Sequence, residues 1–161
     1  MLLILRFLIV FLVFFAPHSH AIEIGDPAID FNLKTLEGKE VRLSDYKGRL
    51  PVYLIFWATW CPACKEEIPK LKEIYSQFKS KGLTMLAINV GINDSAKKAA
   101  LYKEKHNLPY PVLFDNDSLV TKLYNVMGTP TMIIIDKSGI IRYRSSVAPD
   151  DLNRHFDKLI E

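Results

Sequence analysis

Residues 51–64 read PVYLIFWATWCPAC, and this stretch decides the fold class of the chain. Its first part, residues 51–57, is apolar, aromatic and β-branched, as is typical of a strand buried on both faces of a sheet. Beyond Cys61 the apolar residues recur at steps of three and four, which indicates an amphipathic helix over 61–80. The change of period predicts that Cys61 lies where a buried strand gives way to a helix.

This position favours a reactive cysteine. The first backbone N–H groups of a helix lack partners within the helix, and together with the macrodipole they favour a nearby negative charge. A cysteine there is stabilised as the thiolate, which is the nucleophilic form. Pro62 suits the first helical turn, because its missing N–H is not needed at that point.

Cys61 and Cys64 are the two cysteines of the sequence, and a pair at this spacing has three common uses besides redox chemistry. A disulfide between them closes a very short loop and removes little entropy from the unfolded chain, so it is a poor structural staple. A structural zinc site needs about four ligands, and the histidines stand at unrelated spacings. Covalent haem attachment needs a histidine after the second cysteine, but residue 65 is Lys. Redox chemistry of the pair remains, without metal or cofactor.

The cysteine pair belongs to a larger set of motifs along the chain. They are FWATWCPAC (56–64) with Glu67 and Pro69, AINV (87–90), YPVLFD (110–115), and GTPT (128–131) followed by IIID (133–136). Through these motifs the sequence resembles the thioredoxin superfamily, and within it the exported TlpA/ResA-like thiol–disulfide oxidoreductases. The resemblance implies a thioredoxin-like α/β fold with a central mixed sheet flanked by helices. It also implies an N-terminal β-hairpin extension over 24–50 and a helical insertion over 93–106.

The remaining elements are expected in a fixed order along one domain, residues 22–161. After the hairpin, the pattern predicts strands over 51–57, 83–90, 111–114, 131–136 and 139–147 and helices over 61–80, 94–106 and 117–124, with a closing helix from about 149. Gly82 is expected to end the long helix, and Ser138-Gly139 to form the turn of the last hairpin.

The two cysteines are assigned different roles from their places on the helix. Cys61 is expected to attack a substrate disulfide, because it lies nearer the helix terminus and the solvent edge. Cys64, one turn further in, is expected to be more shielded and to resolve the mixed disulfide. The resemblance adds Pro130 as a cis proline facing the pair, with the Thr129 backbone aimed at a bound substrate chain. Trp60 is expected to cover the disulfide, and Pro62 to tune its potential.

Glu67 is a further candidate catalytic residue. It lies three residues after Cys64, on the inward stripe of the helix, where a carboxyl could carry protons for Cys64. TlpA/ResA-like proteins commonly have an acidic residue at this point. Thioredoxin instead uses a buried Asp on the preceding strand, and the matching residue here is Ile55. The alternative is a surface glutamate paired with Lys70.

Residues 1–21 have the composition of an export signal. Residues 1–16 are apolar except for Arg6, and Ser19-His20-Ala21 places small residues where signal peptidase cleaves. This predicts a cleaved signal peptide and a mature chain that begins at Ile22. An uncleaved membrane anchor is the main alternative, although 16 helical residues span only ~24 Å of a ~30 Å hydrocarbon core.

Charge and composition limit the partners. The formal net charge is +3 and no dense basic cluster is present, which argues against a nucleic-acid binder. We expect a monomer that acts on client proteins with disulfides or dithiols, apocytochrome c among them, and that receives electrons from a membrane protein. Two alternative functions use the same fold. A thiol peroxidase needs Thr three residues before its cysteine, whereas Thr59 is two before Cys61, and a copper-delivery protein uses a wider cysteine spacing and a distant histidine.

Overall fold

The computed structural model describes residues 22–160, so the predicted signal peptide over 1–21 lies outside the described residues. In chain order the elements are β1 (Asn32–Lys34), β2 (Glu40–Arg42), β3 (Val52–Trp57), α1 (Pro62–Phe78), β4 (Thr84–Asn89), α2 (Ala96–Lys105), β5 (Val112–Phe114), α3 (Leu119–Leu123), β6 (Thr131–Ile135), β7 (Ile141–Ser145) and α4 (Leu152–Ile160). Each lies within one to three residues of its predicted bounds, apart from the shorter strands of the N-terminal hairpin.

Five strands form the central sheet in the order β5-β4-β3-β6-β7. β3 pairs in parallel with β4 and antiparallel with β6, which confirms the mixed sheet. All six residues of β3 are buried, because the strand lies in the middle of the sheet. The unbroken apolar run of 52–57 is the sequence signature of that position.

Strand direction brings three segments to one edge of the sheet. Trp57 at the end of β3 is paired with Asn89 at the end of β4, since these strands are parallel. β6 runs the opposite way, so its first residue, Thr131, is paired with Phe56. The loops that follow β3 and β4 and the segment that precedes β6 therefore meet beside Cys61.

The N-terminal extension is confirmed as a β1–β2 hairpin, and it packs beside β5. Leu36 N donates a hydrogen bond to Val112 O at 2.9 Å. At the other side of the sheet, Ile141 N donates to Asp26 O at 3.0 Å. The extension thus reaches both outer strands, whose backbone groups would otherwise face solvent.

Helix α1 carries the predicted apolar stripe. Its buried residues are Cys64, Ile68, Leu71, Ile74 and Phe78. A 3₁₀ turn over Lys79–Lys81 follows, and Gly82 ends it with a φ of 98°, a conformation that glycine adopts readily. Across residues 22–160, no helix combines the length and the apolar character that crossing a membrane requires.

Candidate active site

Cys61 is the residue that caps the N-terminus of α1. It is joined to Cys64 in a disulfide with a Cα–Cα distance of 5.3 Å. The Cys64 backbone N–H donates a hydrogen bond to Cys61 Sγ at 3.1 Å. Because an N–H group that already points at this sulfur stabilises negative charge on it, the cap position favours the Cys61 thiolate in the reduced protein.

The segment before β6 faces the disulfide. The Thr129–Pro130 peptide bond is cis, as expected. The Thr129 carbonyl oxygen lies 3.4 Å from Cys61 Sγ. Thr131 Oγ1 donates to Gly128 O at 2.7 Å and so ties this segment together. The backbone of Thr129 therefore lies beside the sulfur that a substrate must approach.

Solvent exposure does not separate the two cysteines in this disulfide form. Cys61 is 4% exposed and Cys64 is 6% exposed, so the expectation that Cys64 is the more shielded does not hold. Their surroundings differ instead. Cys61 faces the Thr129 carbonyl, whereas Cys64 lines a small cavity with Ile55 and Pro130. The assignment of Cys61 as nucleophile therefore rests on its cap position.

Glu67 is half-buried on α1, one turn beyond Cys64. Its Oε2 accepts a hydrogen bond from Ala148 N at 3.0 Å. Burial raises the pKa of Tyr53, and the charges of Tyr143 and Glu67 add to that effect. Lys70 donates to Ala148 O at 2.7 Å and pairs with Asp150, so the alternative Glu67–Lys70 pair is not formed. The proton-carrying role of Glu67 stays a prediction.

Trp60 lies at the rim of the site. Its side chain is 52% exposed, and its Nε1 donates to Ile92 O at 2.8 Å, which turns the indole toward the loop after β4. Ile92 and Met127 are also exposed, Met127 by 89%. Pro62 is exposed as well. Exposed apolar side chains thus lie on the loops before α1, after β4 and before β6, while covering of the disulfide by Trp60 stays a prediction.

One carboxylate that lies near the site was not identified from the sequence. Asp94, in the loop after β4, accepts hydrogen bonds from Thr59 N at 2.7 Å and from Thr59 Oγ1 at 3.0 Å. It also accepts from Asn89 Nδ2 and from Ser95 N, each at 2.9 Å. Burial alone would raise the pKa of Asp94, but the hydrogen bonds from Asn89, Thr59 and Ser95 outweigh it and lower the pKa.

A signal for Asp94 was present in the sequence. Parallel neighbouring strands end at the same edge of a sheet, so the loops after 51–57 and 83–90 had to meet. A carboxylate in the second loop was therefore a candidate partner for unpaired N–H groups in the first.

The arrangement can carry out thiol–disulfide exchange. The Cys61 thiolate attacks one sulfur of a substrate disulfide, forming a mixed disulfide and releasing the other substrate sulfur as a thiolate. Cys64, as thiolate, then attacks Cys61 Sγ, which restores the Cys61–Cys64 disulfide and frees the second substrate thiolate. Two electrons pass from the protein dithiol to the substrate, and the reverse sequence oxidises a dithiol.

Comparisons with known proteins agree with this chemistry. Residues 24–144 match the AhpC/TSA family. The chain is 35% identical over 147 residues to the thiol–disulfide oxidoreductase ResA of Geobacillus kaustophilus, which covers 90% of this chain and 83% of the relative. It is 38% identical over 117 residues to ResA of Bacillus thuringiensis, which covers 73% of this chain and 66% of the relative.

A solved structure of a protein with a related name has the same fold. A candidate thiol:disulfide interchange protein DsbE from Chlorobium tepidum superposes with a TM-score of 0.75 at 29% identity, covering 86% of this chain and 98% of its own. The names of these relatives and the Cys61–Cys64 pair indicate the same enzyme activity, thiol–disulfide exchange. The chain belongs to the AhpC/TSA family and, within it, to the ResA-like thiol–disulfide oxidoreductases.

Proposed function

We propose that this oxidoreductase is exported from the cytoplasm and reduces disulfides in client proteins outside it. The observation that carries the proposal is the position of Cys61 Sγ, at the helix cap and 3.4 Å from the Thr129 carbonyl oxygen. A client segment paired with the Thr129 backbone would bring its sulfur next to the nucleophile.

The direction of transfer is argued from the charges around the pair. Pro62 and Ala63 place no cationic side chain between the cysteines, and the Glu67 carboxylate lies one turn away. Both features stabilise the thiolate less than a cation at those positions would. A less stable dithiol form gives its electrons away more readily, which favours reduction of clients.

Exposed apolar residues on the loops near Cys61 indicate the kind of client. Exposed Trp60, Ile92 and Met127 favour an extended, partly apolar segment rather than a highly charged one. An unfolded polypeptide with a disulfide, such as oxidised apocytochrome c, has this character. The oxidised protein would then regain its electrons from a membrane protein that passes reducing power outward.

Export is argued from residues 1–21, whose apolar run and small-residue site are those of a signal peptide. Intact-mass measurement of the exported protein should give a chain beginning at Ile22. A membrane-bound protein that retains residues 1–21 would support the anchor instead, and a cytoplasmic protein would contradict export.

A trapping experiment in the source cell tests the whole proposal. Cys64→Ser should accumulate mixed disulfides with exported clients, because the second attack is removed, and the matched Cys61→Ser should accumulate none. Trapping by Cys61→Ser alone would contradict the assigned roles. Rapid peroxide consumption by Cys64→Ser, or tight copper binding by the reduced protein, would favour a peroxidase or a copper carrier over the reductase.

A further inference from the structure

The backbone between β3 and Cys61 is hydrogen-bonded to a residue of the loop after β4. Strand β3 ends at Trp57, and α1 begins at Pro62. Between them, Cys61 N donates to Ala58 O at 3.3 Å, and Thr59 N points out of this turn to Asp94. Thr59, two residues before Cys61, is therefore held by a contact outside this turn.

Asp94 holds Thr59 through both of its carboxylate oxygens. Oδ2 accepts from Thr59 N at 2.7 Å and from Asn89 Nδ2 at 2.9 Å. Oδ1 accepts from Thr59 Oγ1 at 3.0 Å and from Ser95 N at 2.9 Å. All four partners are donors, so a carboxylate satisfies them, whereas an amide would turn its own N–H group toward one pair.

Asp94 is supported from behind by a buried, hydrogen-bonded side chain. Asn89 is fully buried at the end of β4, and its side-chain oxygen accepts from Gly91 N at 3.0 Å, which leaves its amide nitrogen to donate to Asp94. Trp60 Nε1 makes a second bridge between the same two loops, at Ile92 O. These contacts join the segment that carries Cys61 to the end of the neighbouring strand.

We infer that Asp94 is a positioning residue for thiol–disulfide exchange, which holds Thr59 and thereby fixes Cys61 at the N-terminus of α1. The inference rests only on the exchange reaction at Cys61. It does not depend on export, on the direction of transfer or on the client. A small disulfide and a small alkylating reagent can therefore test it.

The first test is the rate at which reduced protein reacts with a small disulfide. Asp94→Ala should slow the reaction on the order of tenfold to a hundredfold, since a misplaced reacting group costs that much. Thr59→Val, which keeps the backbone N–H but loses the hydroxyl, should slow it less, and Thr59→Ser should match the wild type. Thermal unfolding of each variant shows whether it is folded.

A control variant separates positioning from general stability. Asp136 also accepts three donors, Ser138 Oγ, Ile140 N and Arg142 Nε, but it follows β6 at the end of the sheet away from Cys61. Asp136→Ala should lower the unfolding temperature and leave the reaction rate unchanged. If Asp94→Ala shows only the same loss of stability with an unchanged rate, the inference is overturned.

A second readout separates positioning from charge. The pH dependence of Cys61 alkylation gives the thiol pKa in each variant. Asp94→Glu keeps the negative charge but displaces it, so positioning predicts a raised Cys61 pKa in both Asp94→Glu and Asp94→Ala. A wild-type value in Asp94→Glu together with a lowered value in Asp94→Ala would mean that Asp94 acts through its charge alone, and the inference would fail.

Discussion

The Glu67 carboxylate and the Ala148 backbone are joined by a hydrogen bond of 3.0 Å, donated by Ala148 N to Oε2. Lys70, one turn later on α1, donates to the carbonyl oxygen of the same Ala148. Helix α1, which Cys61 caps, is thus tied to the loop between β7 and α4 by two side chains of opposite charge. Glu67 is therefore fixed in orientation one turn beyond Cys64.

This contact allows the proton-carrying role of Glu67 to be separated from its structural one. Glu67→Gln keeps an oxygen that can accept from Ala148 N, so the free energy of unfolding should change little. Without an ionisable group, the pH dependence of thiol titration should change and release of the mixed disulfide should slow. Stopped-flow measurement of that release checks the prediction.

Glu67→Ala is the matched comparison. It removes the hydrogen bond as well, and should cost about 1–3 kcal/mol of stability because Ala148 N is left without its partner. If Glu67→Gln titrates and turns over like the wild type, the carboxylate has only the structural role.

The sequence predicted the elements well because the decisive signals are local. The apolar run of 52–57 predicts a buried strand, and the helical period after Cys61 predicts an amphipathic helix, each without information from the rest of the chain. The role of Asp94 was not predicted, because it depends on a contact with Thr59, which is 35 residues away. The prediction that Cys64 is more shielded than Cys61 was also wrong, since the Thr129 carbonyl lies against Cys61 in the folded protein.

Gly91 illustrates a second long-range requirement, and it carries a prediction. Its φ is +70°, and a Cβ there would lie 2.2 Å from the Asp115 backbone oxygen. Gly91→Ala must therefore move backbone as well as adopt an unfavourable φ, and should cost more than about 2 kcal/mol. Because Gly91 N also orients Asn89, the reaction rate of Cys61 should fall too.

Gly38→Ala is the control for the backbone conformation alone. Gly38 has a φ of +86°, but nothing lies within 4 Å of a Cβ built there. Chemical denaturation should show a smaller loss of stability than for Gly91→Ala and an unchanged rate at Cys61. Equal losses in both variants would mean that the close approach to Asp115 is relieved at no cost.

Asp136 gives a prediction for pH. Burial alone would raise its pKa, but hydrogen bonds from Ser138, Ile140 and Arg142 outweigh it and hold the pKa below the usual 3.8. A pKa that is lower in the folded state stabilises the protein fully above the unfolded value and loses that contribution as the pH falls through the folded value. Asp136→Asn should therefore cost about 1–3 kcal/mol at pH 7 and progressively less below about pH 4. Urea unfolding of both proteins across this pH range measures the difference in unfolding free energy. A difference that does not change with pH would contradict the assigned cause, the lowered pKa of Asp136.

The last prediction concerns the reduction potential, which decides the direction of transfer. A strong oxidant such as DsbA, near −120 mV, has a reduced form stabilised by a very acidic thiolate. Here Cys61 Sγ receives a backbone N–H from Cys64, but Pro62 and Ala63 supply no cation, and Glu67 opposes a second negative charge. We expect a potential below about −200 mV, closer to that of thioredoxin. Since 30 mV corresponds to about 1.4 kcal/mol, the difference from the strong oxidant exceeds roughly 3.5 kcal/mol, which equilibration with a dithiothreitol couple resolves easily.

Glu67→Gln should raise the potential, because one opposing charge is removed, whereas the exposed and distant Glu40→Gln should leave it unchanged. A wild-type potential above about −150 mV, with rapid oxidation of unfolded dithiol substrates, would make the protein a disulfide-forming enzyme and overturn the reductase assignment.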